Sequence, residues 1–445
     1  MPQLTDGLEL HGLYHGSGFV EPLYTARRGD GQVVHLSLLL YQTARAIDGI
    51  RDTERIAARV SATFGQEVSA ENIAYLVEQK LRPLGVVAHP AHGTALAADV
   101  PGLDMLVDLR GRGTLLRPRA VRTIARLLAR LHHPLVVTLV LAAALGMDFW
   151  FFAVHGAVPA LLTVLNQPAT LLAVLALVAL SLVFHEFGHA SACHYGGASP
   201  GRIGCGLYLL WPSLFTDVTD VYRLPRRGRL RTDLGGVYFN LVYMLALVGA
   251  YAATGRPFLL AAVYLGHFEV LEQLVPAARL DGYYILADLA GIPDLYGQIG
   301  PVLRGAIPGR REDPRAQALT GRARTVITTW VLAVFPLIAA DLGYTLWNLP
   351  GIGATAWHSI SAQAVALVRA LDRGQATGAV ASLTGLLMLV VPFAGTALML
   401  VGLAKALARG AAGIRARRSV ARRRPHRRPA ATAPDRRRRK RDGAA

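Results

Sequence analysis

The sequence predicts a mainly α-helical, polytopic membrane protein of about six transmembrane helices, with a small winged-helix-like α+β domain at its N-terminus. The 445-residue chain is 53% hydrophobic and only 17% charged, whereas about 25% of the residues of an average soluble domain are charged. Its apolar residues are concentrated in segments of about 20 residues, the length that spans a bilayer. The formal net charge of the whole chain is +18. Most of the charged residues lie outside those segments.

Residues 1–90 are predicted to form the winged-helix-like domain. Val33–Leu36 has the composition of a short strand, and a turn and a second strand are expected at 84–87. Asp52 and Ser69 are the residue types that cap helix N-termini, and each precedes a helical pattern. The predicted helices lie at 38–47, 53–63 and 70–81. One strand and three short helices are enough for such a domain.

The rest of the chain divides by composition into a linker region, two membrane regions and a tail. Residues 91–133 are predicted to be a linker, rich in Ala, Gly and Pro up to residue 115, and a basic juxtamembrane helix at Arg117–Arg130. Residues 134–300 are expected to contain four spans and residues 301–410 two more. The six predicted spans lie near 134–154, 169–191, 234–254, 257–276, 325–347 and 379–404.

The distribution of arginine predicts the orientation of the spans. The loops at 193–232 and 277–324 are rich in arginine, whereas the loops on the other side contain only Arg256, Arg369 and Arg373. Because basic loops of membrane proteins remain in the cytoplasm, we expect a multi-pass protein of the cell membrane with both termini cytoplasmic.

Residues 411–445 are predicted to be a basic, disordered tail, because their arginine-rich sequence is interrupted by prolines. Such a tail is attracted to anionic lipid, so the lipid bilayer is an expected partner. Nucleic acid is not expected to bind, since the tail has no aromatic residue on which bases could stack.

The second predicted span ends with His185-Glu186-Phe187-Gly188-His189, an H-E-x-x-H sequence. Residues four apart lie on one face of a helix, so both imidazoles can bind one metal ion while Glu186 serves as a candidate general base. Placing two histidines and a glutamate on an apolar span costs free energy in the membrane, so these residues need an explanation. The alternative is a polar cluster that joins helices inside the bundle.

A catalytic zinc ion usually has three protein ligands and one open position, so a third ligand is needed. The best candidate is Asp281, which follows a span broken by Pro276, so that its carboxylate can turn back toward the bundle. Spacing alone is equally consistent with an ordinary turn or capping residue. Cys193 is a lesser candidate, because it and Cys205 are more simply interpreted as two reduced thiols facing the cytosol.

The combination of H-E-x-x-H at the end of one span with Leu280-Asp281-Gly282 near another resembles the site-2 protease family of intramembrane zinc metalloproteases. The resemblance covers roughly residues 165–300, and the sequence around Trp211-Pro212 is most similar to the bacterial peptide zinc metalloprotease branch of that family. It implies that Glu186 activates water and that the ligands of Zn²⁺ are His185, His189 and Asp281.

Two further positions resemble the family's pattern in part. The family has a Gly-rich third span with an asparagine, which is matched here by Gly235-Gly236 and Asn240, but Val237 stands where a proline is usual. Gln273 stands where the family has an asparagine ahead of its L-D-G sequence. The resemblance therefore implies Asn240 and Gln273 as candidates for orienting substrate or holding the oxyanion.

The N-terminal domain carries a second resemblance, to PqqD-like domains. Four segments match that pattern: Val34–Ser37, Ala46–Gly49, Thr53–Val60 and Leu81–Val87. Such domains recognise precursor peptides in natural-product pathways along a strand edge and a helix, so the resemblance implies a peptide or protein substrate as partner. The alternative is a winged-helix-like spacer that binds no ligand.

Residues 203–210 and 217–222 are predicted to form a β-hairpin between the second and third spans. An exposed strand edge there could hold an extended peptide by β-augmentation. Three polar residues of the fourth predicted span either line a water route to the metal or pair with one another: His267, Glu269 and Glu272.

Together these motifs favour an intramembrane zinc metalloendopeptidase that matures a ribosomally made precursor peptide or removes its leader. Two alternatives stay open. The same enzyme could cleave a membrane-bound regulator in regulated intramembrane proteolysis, although no PDZ-like domain is evident in the sequence. A non-catalytic export or immunity component with a vestigial metal site is the other, and the intact H-E-x-x-H sequence argues against it.

Overall fold

A computed structural model describes residues 1–88, 110–156, 168–208, 211–276, 279–305, 313–391, 393–395, 401 and 405. The protein is mostly helical, at 71%, and the described residues form two three-stranded sheets. The mainly α-helical class is thus confirmed. Most of the predicted linker, at 89–109, and the whole predicted tail, at 411–445, lie outside the described residues.

The N-terminal domain packs three helices against an antiparallel sheet with the strand order β1-β2-β3. Its elements are β1 (Glu9–Leu13), β2 (Leu23–Arg27), β3 (Val33–Ser37), α1 (Leu38–Ala46), α2 (Thr53–Phe64) and α3 (Ala70–Leu76), which continues as a π-helix over Val77–Leu81. The predicted caps are confirmed, because Asp52 accepts a hydrogen bond from the Arg55 amide and Ser69 from the Asn72 amide.

The sheet of this domain differs from the prediction, which placed a short strand at Val33–Leu36 and a second at 84–87. Two strands, β1 and β2, precede β3, and the bulge between Leu10 and Gly12 breaks the alternation that would have made β1 visible in the sequence. The predicted strand at 84–87 is wrong, since Val87 forms only an isolated bridge with Leu4. The winged-helix arrangement stays a prediction.

After the N-terminal domain the described chain continues mainly as helices. They are α4 (Pro118–Leu128), α5 (Pro134–Phe149), α6 (Pro168–Tyr195), α7 (Arg226–Asp233), α8 (Gly235–Thr254), α9 (Pro257–Leu274), α10 (Asp281–Ala290), α11 (Tyr296–Gly305), α12 (Pro314–Gln317), α13 (Gly321–Asp372) and α14 (Ala376–Gly395). Short helical turns follow α4 and α5 and precede α7, at Ala129–His132, Trp150–His155 and Thr219–Arg223.

Five helices of the described chain are long and apolar enough to cross a membrane. They contain all or part of the predicted spans near 134–154, 169–191, 234–254, 325–347 and 379–404. The remaining predicted span, at 257–276, is helical as α9 but is not among the five, and it carries Glu269 and Glu272. A membrane protein is therefore supported, whereas the multi-pass arrangement, the orientation of the termini and the count of six spans stay predictions.

The prediction of a loop between the last two predicted spans, from about 347 to 379, is wrong over most of that range. Helix α13 does not end near residue 347 but continues to Asp372, with Pro336 and Pro350 inside it. Proline removes one hydrogen bond and favours a kink, but the following sequence is rich in alanine, valine and leucine, and alanine and leucine are strong helix formers. The helix therefore resumes after each proline.

The second sheet joins the segment before α4 to the connection between α6 and α7. Its antiparallel strands, in the order β4-β5-β6, are β4 (Arg110–Leu116), β5 (Ile203–Tyr208) and β6 (Trp211–Thr216). The predicted second hairpin strand at 217–222 is wrong, and β4 lies in a segment predicted to be linker. Pro212, which argues against a strand, is accommodated because β6 is an edge strand in this sheet.

Helices α6 and α8 pack with their backbones in close contact at Gly188 and Gly235. A Cβ atom on Gly188 would clash with the backbone of Gly235, and one on Gly235 would approach the backbone of Gly188. Small residues allow membrane helices to approach closely. This contact brings the H-E-x-x-H end of α6 against the first turns of α8.

A buried arginine connects the N-terminal domain to the helical core. Arg229 on α7 is fully buried, and its Nε donates to Asp288 Oδ1 at 2.7 Å while its Nη1 donates to the carbonyl of His15 at 3.1 Å. The Tyr14 hydroxyl donates to the same Asp288 oxygen at 3.3 Å, and burial together with Asp288 raises the pKa of Tyr14. The interface therefore depends on a paired, desolvated charge.

Replacing Arg229 with alanine should destabilise this interface strongly, because Asp288 is left buried without its cation. Breaking a buried ion pair costs about 3–5 kcal/mol. We expect a markedly lower melting temperature in detergent and faster proteolysis between the N-terminal domain and α4. The matched control is Arg227→Ala, since Arg227 is exposed on the same helix. Equal melting temperatures for the two variants would contradict this account of the interface.

His35 of β3 lies in the same interface, between Tyr14 and Tyr222, with ring centroids 4.9 and 6.0 Å away. Burial, together with the charge of Arg229, lowers the pKa of His35 to about 4. Burial and the charge of Arg231 likewise lower the pKa of His132 to about 4. Both rings are therefore neutral in the folded protein at a pH where an unfolded chain, with a histidine pKa of about 6.5, is already protonated.

The folded protein should accordingly lose stability as the pH falls from about 6.5 to 4, because the unfolded chain binds these protons first. The contribution is constant above that window. His35→Phe keeps a ring in the interface and should reduce the fall in melting temperature, leaving the part due to His132. The control Leu13→Phe, at an exposed position of β1 that carries no titratable group, should show the full fall. An undiminished fall in His35→Phe would rule out this assignment.

Candidate metal centre

The two histidines of the H-E-x-x-H sequence point their Nε2 atoms at the same place, 3.1 Å apart, near the end of α6. On the other side of each ring Nδ1 faces an oxygen. His185 Nδ1 lies 3.3 Å from Asn240 Oδ1 on α8, and His189 Nδ1 lies 2.8 Å from the Thr232 carbonyl on α7. An acceptor at Nδ1 favours the proton there, which leaves the Nε2 lone pairs free to bind a metal.

Asp281 completes the cluster from the first residue of α10. Its Oδ2 lies 3.2 Å from His185 Nε2 and its Oδ1 lies 3.3 Å from His189 Nε2. The direction of α10 depends on Gly282, where a Cβ would clash with the backbone of Leu274 at the end of α9. Among the described residues, His185, His189 and Asp281 form a group that could hold a metal ion, and Cys193 does not belong to it.

The buried Asp281 Oδ2 has no hydrogen-bond partner among the described residues, although it faces an imidazole nitrogen. Buried polar atoms are normally satisfied, so an unsatisfied one calls for an explanation. A cation between the carboxylate and the two imidazoles would supply the missing interaction. The donor set of this cluster therefore fits a metal ion.

Gly236 on α8 leaves the space in front of the imidazoles open. A Cβ atom there would clash with Nε2 of both His185 and His189. The absence of a side chain at this position is therefore a geometric requirement of the cluster, in addition to the backbone contact made by the neighbouring Gly235.

Glu186 is buried and is held by the second sheet. Its Oε2 accepts a hydrogen bond from the Thr216 hydroxyl on β6 at 2.6 Å. The same hydroxyl lies 3.0 Å from the Glu186 carbonyl, but its single proton is better placed on the carboxylate, which is the closer and charged acceptor. The sheet thus fixes the carboxylate relative to α6.

A cavity of about 550 Å³ contains the cluster. Besides the metal-binding group and Glu186, its walls include β6, Gln273 from the last turn of α9, and the β2–β3 turn at Asp30–Gln32 of the N-terminal domain. Asp233 also lines it, and burial together with Asp288 raises the pKa of that carboxyl group. The N-terminal domain therefore contributes directly to the cavity.

The remaining predicted site residues divide between the cavity and its support. Gln273 lines the cavity, whereas Asn240 is 1% exposed and contacts His185 Nδ1. His267 pairs with Asp148 at 2.9 Å, and Glu269 accepts from Asn240 Nδ2 at 3.3 Å. The structure thus places Asn240 behind the cluster and Gln273 in front of it.

Sequence reasoning missed three groups that contribute to the site. The Thr232 carbonyl is a main-chain atom and leaves no residue signal. The turn at Asp30–Gln32 reaches the cavity only because the N-terminal part of the chain packs against the helical core, a long-range contact. Thr216 had a weak signal, since it belongs to the sequence that resembles the bacterial branch, but that resemblance gave it no role.

Gly236→Ala should abolish or severely weaken metal binding, because the added methyl group occupies the space between the two imidazoles. The matched control is Gly249→Ala on the same helix, where a Cβ meets no atom within 4 Å. Metal content of the purified variants, measured by elemental analysis, should differ accordingly while both remain folded. Wild-type metal content in Gly236→Ala would show that the ion binds elsewhere.

No family model matches this chain, and comparisons with curated proteins and with solved structures find no similar protein.

Proposed function

We propose that the protein is an intramembrane zinc metalloendopeptidase. The observation that supports it best is the convergence of His185, His189 and Asp281 in the same cavity as Glu186. Two imidazoles and one carboxylate, with a fourth position open, are the ligands of many catalytic zinc sites. Atoms bound tetrahedrally at 2.0–2.1 Å lie about 3.3 Å from one another, close to the 3.1, 3.2 and 3.3 Å separations in this cluster.

Bound zinc would supply a Lewis acid that polarises a carbonyl and makes water more acidic. Glu186 acts as the general base, taking a proton from the attacking water and later giving it to the leaving amine. Thr216 orients that carboxylate through its hydroxyl. Gln273 can reach a substrate from the cavity wall, whereas Asn240 supports His185, so Gln273 is the better candidate for holding the oxyanion.

We propose a peptide substrate, such as a precursor peptide whose leader is bound by the PqqD-like domain. The position of the turn at Asp30–Gln32 in the cavity wall supports delivery by that domain. Because β6 is an edge strand of its sheet and lines the cavity, an extended peptide could add to it. Both termini, the domain and the site would face the cytoplasm under the positive-inside rule.

Glu186→Gln should keep the metal and lose cleavage, because glutamine preserves the shape but cannot accept the proton. The expected loss is about 10²–10⁴-fold, the usual contribution of general base catalysis. Asp281→Ala should lose both metal and cleavage, since it removes one of three ligands. The measurements are zinc content and cleavage of the candidate precursor peptide by the full chain in detergent.

Two results would overturn the proposal. One is a wild-type protein without zinc after purification in zinc-containing buffer. The other is normal cleavage by Glu186→Gln. Cleavage of a membrane-bound regulator, with no effect on a soluble precursor peptide, would keep the enzyme and select the regulated-proteolysis alternative. Zinc binding without any hydrolysis would favour the non-catalytic export or immunity component.

A further inference from the structure

We propose that Glu269 is a positioning residue that holds His185 in its metal-binding form through Asn240. This inference rests on the metal site of the proposed function but not on proteolysis. It concerns a half-buried carboxylate on α9 that has no part in the chemistry described above. A carboxylate in a largely apolar helix carries a cost that calls for a function.

Three helices contribute to a continuous chain of contacts behind the metal cluster. His185 Nδ1 on α6 lies 3.3 Å from Asn240 Oδ1 on α8, and Asn240 Nδ2 lies 3.3 Å from Glu269 Oε1 on α9. Asn240 is 1% exposed, so water does not compete freely for either end of its amide. The group bound at one end of the amide therefore determines whether the other end presents a donor or an acceptor.

The polarity of this chain follows from which groups can donate. An ionised carboxylate only accepts hydrogen bonds, whereas a primary amide accepts at one end and donates at the other. When it is ionised, Glu269 selects the orientation in which Asn240 Nδ2 faces it and Oδ1 faces His185, which is the orientation in the structure. That oxygen requires a proton on His185 Nδ1, which leaves Nε2 unprotonated and able to bind a metal.

Without the carboxylate, the amide could turn over and present its NH₂ group to His185 Nδ1. The imidazole would then carry its proton on Nε2, where it blocks the metal. His189 needs no such control, because its Nδ1 faces the Thr232 carbonyl, a main-chain acceptor that cannot be reversed. The two histidines thus differ in how their tautomer is fixed.

The test compares four full-length variants in detergent: Glu269→Gln, Glu272→Gln, Asn240→Ala and the double variant Glu269→Gln/Asn240→Ala. Glu272 is the matched control, because it is an exposed glutamate on the same helix. The metal is removed, and Zn²⁺ affinity is measured by competition with a chromophoric chelator between pH 6 and 8. Co²⁺ spectra at saturation report the ligand geometry, and the melting temperature of the metal-free protein reports stability.

We expect Glu269→Gln to weaken Zn²⁺ binding by about tenfold, at the lower end of the 10- to 100-fold effects of residues that orient metal ligands. Glu272→Gln should bind as wild type. The saturated Co²⁺ spectrum and the metal-free melting temperature of Glu269→Gln should be unchanged, because the ligands and the packing remain. If Glu269 acts through Asn240, the double variant should bind no more weakly than Asn240→Ala alone.

Wild-type Zn²⁺ affinity in Glu269→Gln, or additive losses in the double variant, would overturn the inference. A loss of Zn²⁺ affinity together with a lowered melting temperature of the metal-free protein would also overturn the inference, since it would indicate a merely structural role. A wild-type protein that binds Zn²⁺ tightly but cleaves nothing would end the protease proposal and leave this inference standing. A wild-type protein without any Zn²⁺ affinity would end both.

Discussion

The close approach of α6 and α8 at Gly188 and Gly235 is the constraint on which the cluster of His185, His189 and Asp281 depends. Because neither residue has a side chain, the end of α6 lies directly against the first turns of α8. The next residue, Gly236, then faces the imidazoles, and Asn240, one turn later, reaches His185. A methyl group at any of these glycines would separate the helices or fill the space between the ligands.

A cluster of this kind in an apolar bundle is stable only if each polar atom has a partner. The outer nitrogen of each imidazole has one, either a side-chain amide or a main-chain carbonyl, and Glu186 has the Thr216 hydroxyl. The Nε2 atoms of the two imidazoles and the carboxylate oxygens of Asp281 face one another. A cation between them would satisfy all of these atoms. Unsatisfied buried groups cost about 1–3 kcal/mol each, so a cation at the centre would stabilise the same arrangement as the outer partners.

Sequence reasoning succeeded where local patterns decide the structure. The caps at Asp52 and Ser69 follow from side-chain chemistry, and His185 with His189 follows from the helical period. It failed where tertiary contacts decide. Strand β4 consists largely of glycine, arginine and leucine and forms because β5 lies beside it. The main-chain carbonyl that supports His189 has no signature in the sequence, and the extension of α13 overrides two prolines.

The turn at Asp30–Gln32 forms part of the wall of the cavity around the cluster. A cavity of about 550 Å³ is within the range of sites that hold small molecules, about 300–1,000 Å³, and a folded domain cannot enter it. If the chain is the protease proposed above, with its N-terminal domain docked through buried Arg229, a substrate protein would have to present its peptide bond from a locally unfolded segment. Selection among proteins would then follow the free energy of their local unfolding as much as their sequence.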